Sequence, residues 1–333
     1  MAEERGISVK EDLLNEIHSH GDRGAVVSFS RIGDLKRDML DLKNGDYHTD
    51  WLDRMANHMI EDTDNFIPSD IDFEPRSLIS IVMPSPKMVL QFSYRNCFIP
   101  CVVPPHYTNF YANNERALHY IKGYLAPFGY SVAMTITIPQ KLLAVHCGLA
   151  LYGRNNICYN EEFGSYMQIM TYISDLPSGE APWFPIRRMQ ICEQCSACVS
   201  SCPTGAIDSN RCLINSDKCI TLFDESPGEF PEWLDKEAHN SIVGCTKCQD
   251  CCPGNAHNKG NIKEGVTFTE VETIELMNNQ SDVSYSDSLA SKIMETGIPS
   301  EYSKPCVLPR NLAALLHKQN ILKSRVSRRT RYD

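Results

Sequence analysis

The sequence predicts a mixed α/β (α+β) domain, followed by a metal-binding segment and a helical C-terminal segment. Strand-like and helix-like apolar patterns alternate through the first 185 residues. Ten of the fifteen cysteines fall between Cys192 and Cys252, and an apolar helical stretch follows near the end of the sequence. A chain of 333 residues is long enough for two or three such domains.

The first segment begins with a helix and two strands. Apolar residues at helical spacing predict a helix over Lys10–His20. The run Ala25–Ser30 predicts a short buried strand. Leu78–Met83 predicts a second strand, which ends at Pro84 because proline has no backbone N–H to donate to a sheet.

A helix, a strand and another helix follow in the same segment. Asn113–Leu125 has the spacing of an amphipathic helix and stops before Pro127. Tyr130–Ile138 alternates as a strand does, with one apolar face made of Val132, Met134, Ile136 and Ile138. Helical spacing returns over Lys141–Leu151.

The sequence divides into three expected domains, at 1–185, 186–260 and 261–333. The proline-rich passage Pro177–Pro185 marks the first boundary. The third segment contains a predicted helix, Asn311–Leu322, and a basic tail, 323–333. Such a tail is usually a solvated end, and contact with nucleic acid or another anion is the alternative interpretation.

Composition and charge exclude several classes of protein. The 42 acidic against 32 basic side chains give a net charge of -10, which argues against a broad nucleic-acid surface. No apolar run reaches the roughly 18–20 residues that span a bilayer, and the first residues lack the apolar core of a signal peptide. We therefore expect a soluble, cytoplasmic protein with no membrane partner, in which clustered cysteines bind metal and do not form disulfides.

Two cysteine runs predict a pair of [4Fe–4S] clusters. The first is Cys192-x2-Cys195-x2-Cys198-x3-Cys202-Pro203, and the second places Cys245, Cys248 and Cys252 before Pro253. In two-cluster ferredoxins the cysteine before proline ligates the cluster of the other run. Crossing these ligands assigns Cys192, Cys195, Cys198 and Cys252 to cluster 1, and Cys202, Cys245 and Cys248 to cluster 2.

The spacing leaves one ligand of cluster 2 open. Cys212, Cys219 and Cys251 compete for the position, and counting ligands does not choose among them. Structural zinc is the alternative for the whole segment, because paired CxxC motifs also bind zinc. Two runs that both end in Cys-Pro favour iron–sulfur clusters, which transfer single electrons.

Three weaker signals lie outside the cysteine-rich segment. Cys97-x3-Cys101 is either a metal or redox pair, or two packing residues. The loop 104–114 carries His106, Tyr107 and Tyr111, which are candidate site residues or simply packed aromatic side chains. The glycines that precede Arg154, at 148 and 153, form either a phosphate-approaching turn or the end of a helix.

The order of several motifs resembles the cobalamin-dependent epoxyqueuosine reductase family, whose relatives include the reductive dehalogenases. The resemblance covers most of the chain and rests on GLALYGRNN (148–156), EFGSY (162–166), CEQCSACVSSCPTGAI (192–207), DKCIT (217–221), GCTKCQDCCPGN (244–255) and LPRNLAALL (308–316). The double-cluster motifs are shared by many proteins, and the GL-x3-G-[KR]-N element is what indicates this family.

The resemblance implies a fold, cofactors and ligands. It implies that Cys219 is the missing ligand of cluster 2 and that residues 1–185 form a nitroreductase-like, cobalamin-binding core with a ferredoxin-like two-cluster domain attached. Electrons would pass from an external donor, ferredoxin or flavodoxin, through both clusters to base-off cobalamin. We expect corrinoid contacts from Cys97, Met134, Arg154, Asn155, Cys158, Thr221, Cys245 and Thr246.

The chain departs from the family at the proton donor. Counting back fourteen residues from Gly148 without gaps places the family's donating aspartate at Met134, and a small gap would place it at Thr135 or Thr137. The stretch Tyr130–Lys141 contains no acidic residue. Reductive dehalogenases use a tyrosine near a basic residue, so we expect Tyr107, Tyr111 and Lys141 to supply the proton here. The sequence therefore favours a reductase of a small organic molecule over two alternatives, a tRNA epoxyqueuosine reductase with a displaced donor and an electron-transfer protein without catalysis; the acidic charge disfavours tRNA as a partner.

Overall fold

The computed structural model describes residues 2–44, 67–68, 71–135, 137–210, 213–278, 285–304 and 306–317. The helices longer than one 3-10 turn are α1 Ala2–Ser19, α2 Ile32–Asn44, α3 Phe110–Leu125, α4 Gln140–His146, α5 Ala197–Ser201, α6 Ile220–Glu225, α7 Lys247–Asp250, α8 Glu270–Asn278, α9 Asp287–Glu295 and α10 308–317. The strands are β1 Arg23–Ser28, β2 Ser77–Pro84, β3 Lys87–Tyr94, β4 Cys97–Val103, β5 Val132–Thr135, β6 Leu151–Tyr152, β7 Cys158–Tyr159, β8 Met167–Ser174 and β9 Ile262–Phe268. The predicted class, mixed helix and sheet, is confirmed.

The chain forms two compact units, and each is made of separate stretches of sequence. The first contains residues 1–85, 111–196 and 207–217, and the second contains residues 86–110, 197–206 and 218–333. The three consecutive domains expected from the sequence stay a prediction.

An antiparallel sheet in the order β1-β2-β8-β5 forms the centre of the first unit. The central strand β2 is buried along almost its whole length, as expected for a strand that is covered on both faces. Helix α4 packs on β2 and β8, and its Leu142 and Leu143 join Leu78 and Ile173 in an apolar core. On the opposite face, Asn113 of α3 donates a hydrogen bond to the buried Gln168 of β8 at 2.9 Å.

A three-stranded sheet in the order β4-β3-β9 forms the centre of the second unit. Strand β3 pairs antiparallel with β4 and parallel with β9. Phe92 and Phe268, which are register partners, stack with ring centroids 4.5 Å apart. Helix α8 packs on β3 and α9 packs on β9, so apolar residues of both helices and of α10 cover this sheet.

Most predicted elements are present, with different ends. The predicted helix over Lys141–Leu151 begins at Gln140 and already ends at His146. Gly148, at φ +77°, ends it, because the N–H groups of residues 148 and 149 bond back to the carbonyls of Val145 and Ala144. Its predicted role as a helix end is therefore confirmed.

The alternating strand predicted over Tyr130–Ile138 extends beyond both ends of the observed strand. Only Val132–Thr135 pairs with β8, and residue 136 lies outside the described residues. The apolar alternation continues into a bend, where Ile138 packs into the core beside α4. Of the predicted apolar face, Val132 and Ile138 are buried and Met134 is half-buried, and the alternation did not indicate where backbone pairing stops.

The C-terminal helix begins three residues earlier than predicted, at 308, and is described as far as 317. The rest of the predicted helix and the basic tail lie outside the described residues. None of the described helices is both long and apolar enough to cross a membrane.

Candidate iron–sulfur centre

Two short helices carry the middle cysteines of both runs. Cys198 lies in α5 and Cys248 in α7, and these helices pack against each other within the second unit. Each is followed by a cysteine and a proline. Proline favours an extended backbone at the residue before it, and Cys252 has φ -70° and ψ 125°. The Cys-Pro step therefore stops each helix and turns its last cysteine away from the helix axis.

The four thiols predicted for cluster 2 all belong to the second unit. A negative charge on Cys202 contributes to raising the pKa of Cys219, so these two thiols lie within electrostatic range of each other. A charge on Cys219 acts on Cys245 in the same way. Cys248 lies three residues beyond Cys245, at the spacing of the predicted cluster loop. Residues that are far apart in sequence are thus brought together around Cys219.

Hydrogen-bond donors point at three of these sulfur atoms. The backbone N–H of Ala206 donates to Cys202 Sγ at 3.3 Å, and the Asn240 side-chain amide donates to Cys245 Sγ at 3.2 Å. Cys219 accepts hydrogen bonds from both the backbone and the hydroxyl of Thr221. Such donors favour the thiolate, the form that binds iron, and are expected around an iron–sulfur cluster.

Burial acts against these donors when no metal is bound. It raises the pKa of the Cys245 thiol to about 11, and it also raises the pKa of Cys219 despite the bonds from Thr221. Burial therefore favours the protonated form of Cys219 and Cys245, and iron binding must release the protons of these two thiols. The donor set fits a cluster, because it offers four thiols and groups that stabilise their charged forms.

The alternatives to Cys219 have different surroundings. Cys251 directs its Sγ at the backbone carbonyl of Cys248, at 3.6 Å. Cys212 lies outside the described residues. Among the described residues no three His, Cys, Asp or Glu side chains approach closely enough to hold a single metal ion. A cubane separates its thiolates more widely than a single ion does, so this finding leaves the cluster prediction intact.

The cysteines predicted for cluster 1 are divided between the units. Cys192 and Cys195 belong to the first unit, and Cys198 and Cys252 to the second. Cys192 lies in a 3-10 turn, Gln190–Glu193, and its Sγ accepts a hydrogen bond from the backbone N–H of Arg154 at 3.4 Å. The side chain of Arg154, a predicted corrinoid contact, also bonds to this cysteine loop.

The other predicted corrinoid contacts have partners within the protein. The Asn155 amide donates to the Tyr159 hydroxyl at 2.9 Å, and the hydroxyl of Thr246 donates to Asp250 at 2.8 Å. Met134 Sδ accepts a hydrogen bond from the Asn114 amide. Burial raises the pKa of Cys158 to about 12, which makes it an inert thiol near neutral pH. The roles of these residues toward a corrinoid stay predictions.

Cys97 and Cys101 lie on the same strand, β4, two alternations apart. This spacing separates their Cα atoms by about 13 Å, too far for one metal ion or a disulfide. Cys101 is fully buried, and burial raises its pKa to about 12. The packing interpretation fits Cys101, and Cys97 stays a predicted corrinoid contact.

The predicted proton-donating residues belong to different units. Tyr107 is buried in the second unit and donates a hydrogen bond to Glu225. Tyr111 and Lys141 belong to the first unit. Tyr111 is 44% exposed at the start of α3, and Lys141 Nζ donates to the Asn156 carbonyl at 3.2 Å. Their role as proton donors stays a prediction.

Two acidic residues that the sequence patterns did not indicate lie near the thiols predicted for cluster 2. Asp224 and Glu225 end α6, the helix that begins directly after Cys219. Asp224 is buried and pairs with the buried His239 at 3.1 Å, and burial raises the pKa of Asp224. Burial also raises the pKa of Glu225, to about 7. The signal was present in the sequence as an acidic pair five and six residues after a candidate ligand.

Comparison with known proteins supports the cysteine interpretation first. Residues 191–255 match the family described as the 4Fe-4S double cluster binding domain. The match includes both Cys-Pro runs and Cys219, and it confirms the predicted double-cluster segment.

Curated relatives extend the similarity beyond the cysteines. The chain is 30% identical over 125 residues to the epoxyqueuosine reductase of Bacillus subtilis (strain 168), which covers 38% of this chain and 31% of that protein. It is 36% identical over 124 residues to the enzyme of Leadbetterella byssophila, covering 36% of this chain and 38% of that one. The chain thus matches about a third of the length of these relatives.

Solved structures show the shared fold over a longer range. The epoxyqueuosine reductase of Bacillus subtilis, solved with its catalytic aspartate loop swung out of the active site, superposes with a TM-score of 0.63 at 16% identity, covering 94% of this chain and 82% of that one. An epoxyqueuosine reductase bound to an epoxyqueuosine-modified tRNA-Tyr stem loop gives a TM-score of 0.60 at 18% identity, covering 94% and 82%. The predicted resemblance to this family is confirmed, and the identities mark the chain as a divergent relative.

Proposed function

We propose that this chain is an iron–sulfur reductase of the epoxyqueuosine reductase type, in which electrons from ferredoxin or flavodoxin pass through two [4Fe–4S] clusters to a corrinoid. The observation that carries the proposal is the thiol set Cys202, Cys219, Cys245 and Cys248, which lies within one unit and is surrounded by hydrogen-bond donors. Cys192, Cys195, Cys198 and Cys252 are the proposed ligands of the other cluster. The cytoplasm is the proposed compartment, since thiols stay reduced there until iron binds.

The corrinoid, when bound, would supply the two-electron reduction of the substrate. The shared fold of the epoxyqueuosine reductases and the GLALYGRNN element support its binding. The chain's own contribution would be to orient the substrate and to deliver a proton. Glu225 is suited to proton delivery, because its pKa of about 7 keeps a large fraction protonated near neutral pH.

Epoxyqueuosine in tRNA is the substrate that we propose to test first. Relatives in sequence carry this activity in their names, and one structural neighbour binds a modified tRNA stem loop. These similarities weigh more than the net charge of -10, because a local basic surface can exist on an acidic protein. They favour the alternative interpretation, a tRNA substrate, over the small organic molecule that we expected from the sequence.

A small organic substrate is the second candidate, and one observation favours it. Strand β5, where the family's donating aspartate aligns, contains no acidic residue and has Met134 at that position. Methionine cannot donate a proton, so a reaction that depends on an acid at this position is disfavoured. The third reading, an electron-transfer protein without catalysis, predicts clusters without a corrinoid.

One reconstitution experiment distinguishes the three candidate functions. The full chain is reconstituted with iron and sulfide under anaerobic conditions, incubated with cobalamin, and assayed with an epoxyqueuosine-containing tRNA stem loop and dithionite as the electron donor. About eight irons, bound corrinoid and formation of queuosine support the proposal. Bound corrinoid without queuosine supports the small-molecule reductase, eight irons without corrinoid support electron transfer alone, and zinc or no iron contradicts all three.

A further inference from the structure

We propose that Arg154 is a positioning residue for cluster 1, which fixes the Cys192–Cys195 loop and holds a permanent positive charge beside it. The inference rests on the proposed binding of a cluster by these cysteines, and it gives Arg154 a role other than its predicted contact with a corrinoid. All the contacts that carry it lie within the first unit.

Arg154 uses its whole length to bind this loop. Its Nε donates to the carbonyl of Cys195 at 3.2 Å, and its Nη2 donates to the carbonyl of Cys192. Its backbone N–H donates to Cys192 Sγ at 3.4 Å, and its Nη1 donates to the Ser209 carbonyl at 2.8 Å. One side chain thus connects both predicted ligands of the loop to the segment that follows the first cysteine run.

The turn that carries Arg154 is itself rigid. Gly153 has no room for a side chain, because a Cβ there would come within 2.5 Å of Asn155 Oδ1 and 2.7 Å of the Tyr159 ring. The Gly153 N–H donates to the Ile157 carbonyl at 2.7 Å, and Asn156 takes a left-handed conformation at φ +60°. The turn is therefore closed by its own hydrogen bonds, which are independent of the contacts that the guanidinium makes with the cysteine loop.

A short backbone ladder joins this turn to the chain that leads into the cysteine loop. The N–H of Tyr152 donates to the Arg187 carbonyl at 3.0 Å, and the N–H of Met189 donates to the Tyr152 carbonyl at 2.9 Å. Cys192 follows Met189 by three residues, and its N–H donates to the Met189 carbonyl at 3.0 Å. The position of Arg154 relative to Cys192 is therefore set by backbone bonds on both sides.

The chemistry of arginine suits this position. The planar guanidinium offers five donors in a fixed geometry, so it can bind several carbonyls at once, whereas lysine offers one compact ammonium group. It also stays protonated at every accessible pH. Because a reduced cluster is one charge more negative than an oxidised one, a fixed positive charge favours the reduced form and raises the reduction potential. Arg154 therefore has two effects that can be separated: its hydrogen bonds position the cysteine loop, and its charge raises the reduction potential of the cluster.

Two substitutions and one control separate them. Arg154→Met removes both the donors and the charge, and Arg154→Lys keeps the charge and loses most of the donors. Arg23→Met is the matched control, because it removes the same charge from the same unit and its guanidinium bonds to the Asp22 carbonyl and Glu162. The reconstituted full chain is titrated with dithionite while EPR follows each cluster, and loss of iron to a chelator is timed.

We expect R154M to lower the potential of one cluster and to leave the other unchanged. We expect R154K to retain most of that potential and to lose iron from that cluster roughly tenfold faster than the unsubstituted chain, as loss of charge-assisted hydrogen bonds predicts. If R154M does not fold by circular dichroism, R154K alone still tests the inference through iron loss. R154 variants that behave like R23M overturn the inference, whereas failure of the unsubstituted chain to hold two clusters overturns the proposed function.

Discussion

The hydroxyl of Tyr107 donates a hydrogen bond to the carboxyl of Glu225, which lies 118 residues later in the chain. Burial raises the pKa of Tyr107 well above its usual value, and the neighbouring carboxylate raises it further. Tyr107 was predicted to be the proton source, but a phenol with such a pKa is a poor acid near neutral pH. Glu225, with a pKa of about 7, is the better acid of the pair. The negative charge of its carboxylate also contributes to raising the pKa of Cys219.

Tyr107→Phe tests which partner holds the useful proton. The phenol stabilises the charged form of Glu225, so its removal is expected to raise the pKa of that carboxyl above about 7. Infrared spectroscopy measures this as an upward shift in the pH at which the protonated-carboxyl band disappears, with E225Q identifying the band. If the phenol is the proton source, Y107F instead abolishes turnover at every pH.

Glu225→Gln is expected to remove a pH dependence of stability. The pKa of Glu225 is near 4.5 in an unfolded chain and about 7 in the folded one. The folded state therefore holds the proton more tightly, and this stabilisation is fully present below pH 4.5 and is lost as the pH rises through 7. The loss is at most about 3 kcal/mol. Unfolding temperatures of the anaerobic protein, measured between pH 4.5 and 8, should fall with pH more steeply for the unsubstituted chain than for E225Q.

Glu272→Gln is expected to remove a pH dependence of stability that has the opposite sign. Burial favours the neutral form, but the Lys292 ammonium at 2.7 Å and hydrogen bonds from Thr269 outweigh it and lower the pKa of Glu272 to about 2. Its stabilisation is present above pH 4.5 and is lost as the pH falls toward 2. We expect E272Q to cost about 1–3 kcal/mol at pH 7 and much less at pH 3. Denaturant titrations at the two pH values measure the difference, and an equal cost at both contradicts the assignment.

Local patterns predicted the parts of this protein that depend on nearby residues. The Cys-Pro steps and the helix end at Gly148 follow from backbone preferences within a few residues. The motif Thr269-x-x-Glu272, a capping box, was equally legible in the sequence and was missed.

The contacts that distinguish this site are not local. Glu225 contacts Tyr107, and Arg154 contacts the cysteine loop, only because tertiary packing brings distant segments of the chain together. Helical and strand periodicities report burial and carry no information about which distant polar groups will pair. The cysteine spacing therefore predicts the double-cluster segment, whereas the assignment of individual ligands and of the proton donor stays a prediction.

Cys219→Ala tests the ligand that spacing left open. Cys219 interacts with both Cys202 and Cys245 and receives hydrogen bonds from Thr221, whereas Cys251 points at a backbone carbonyl. We expect C219A to lower the iron content from about eight to about four per chain and to remove one EPR signal. C251A and C212A are the matched controls and should keep both clusters. If C251A or C212A halves the iron while C219A does not, the proposed ligand set of cluster 2 is wrong; if C219A alone halves it, Cys219 is the fourth ligand of that cluster.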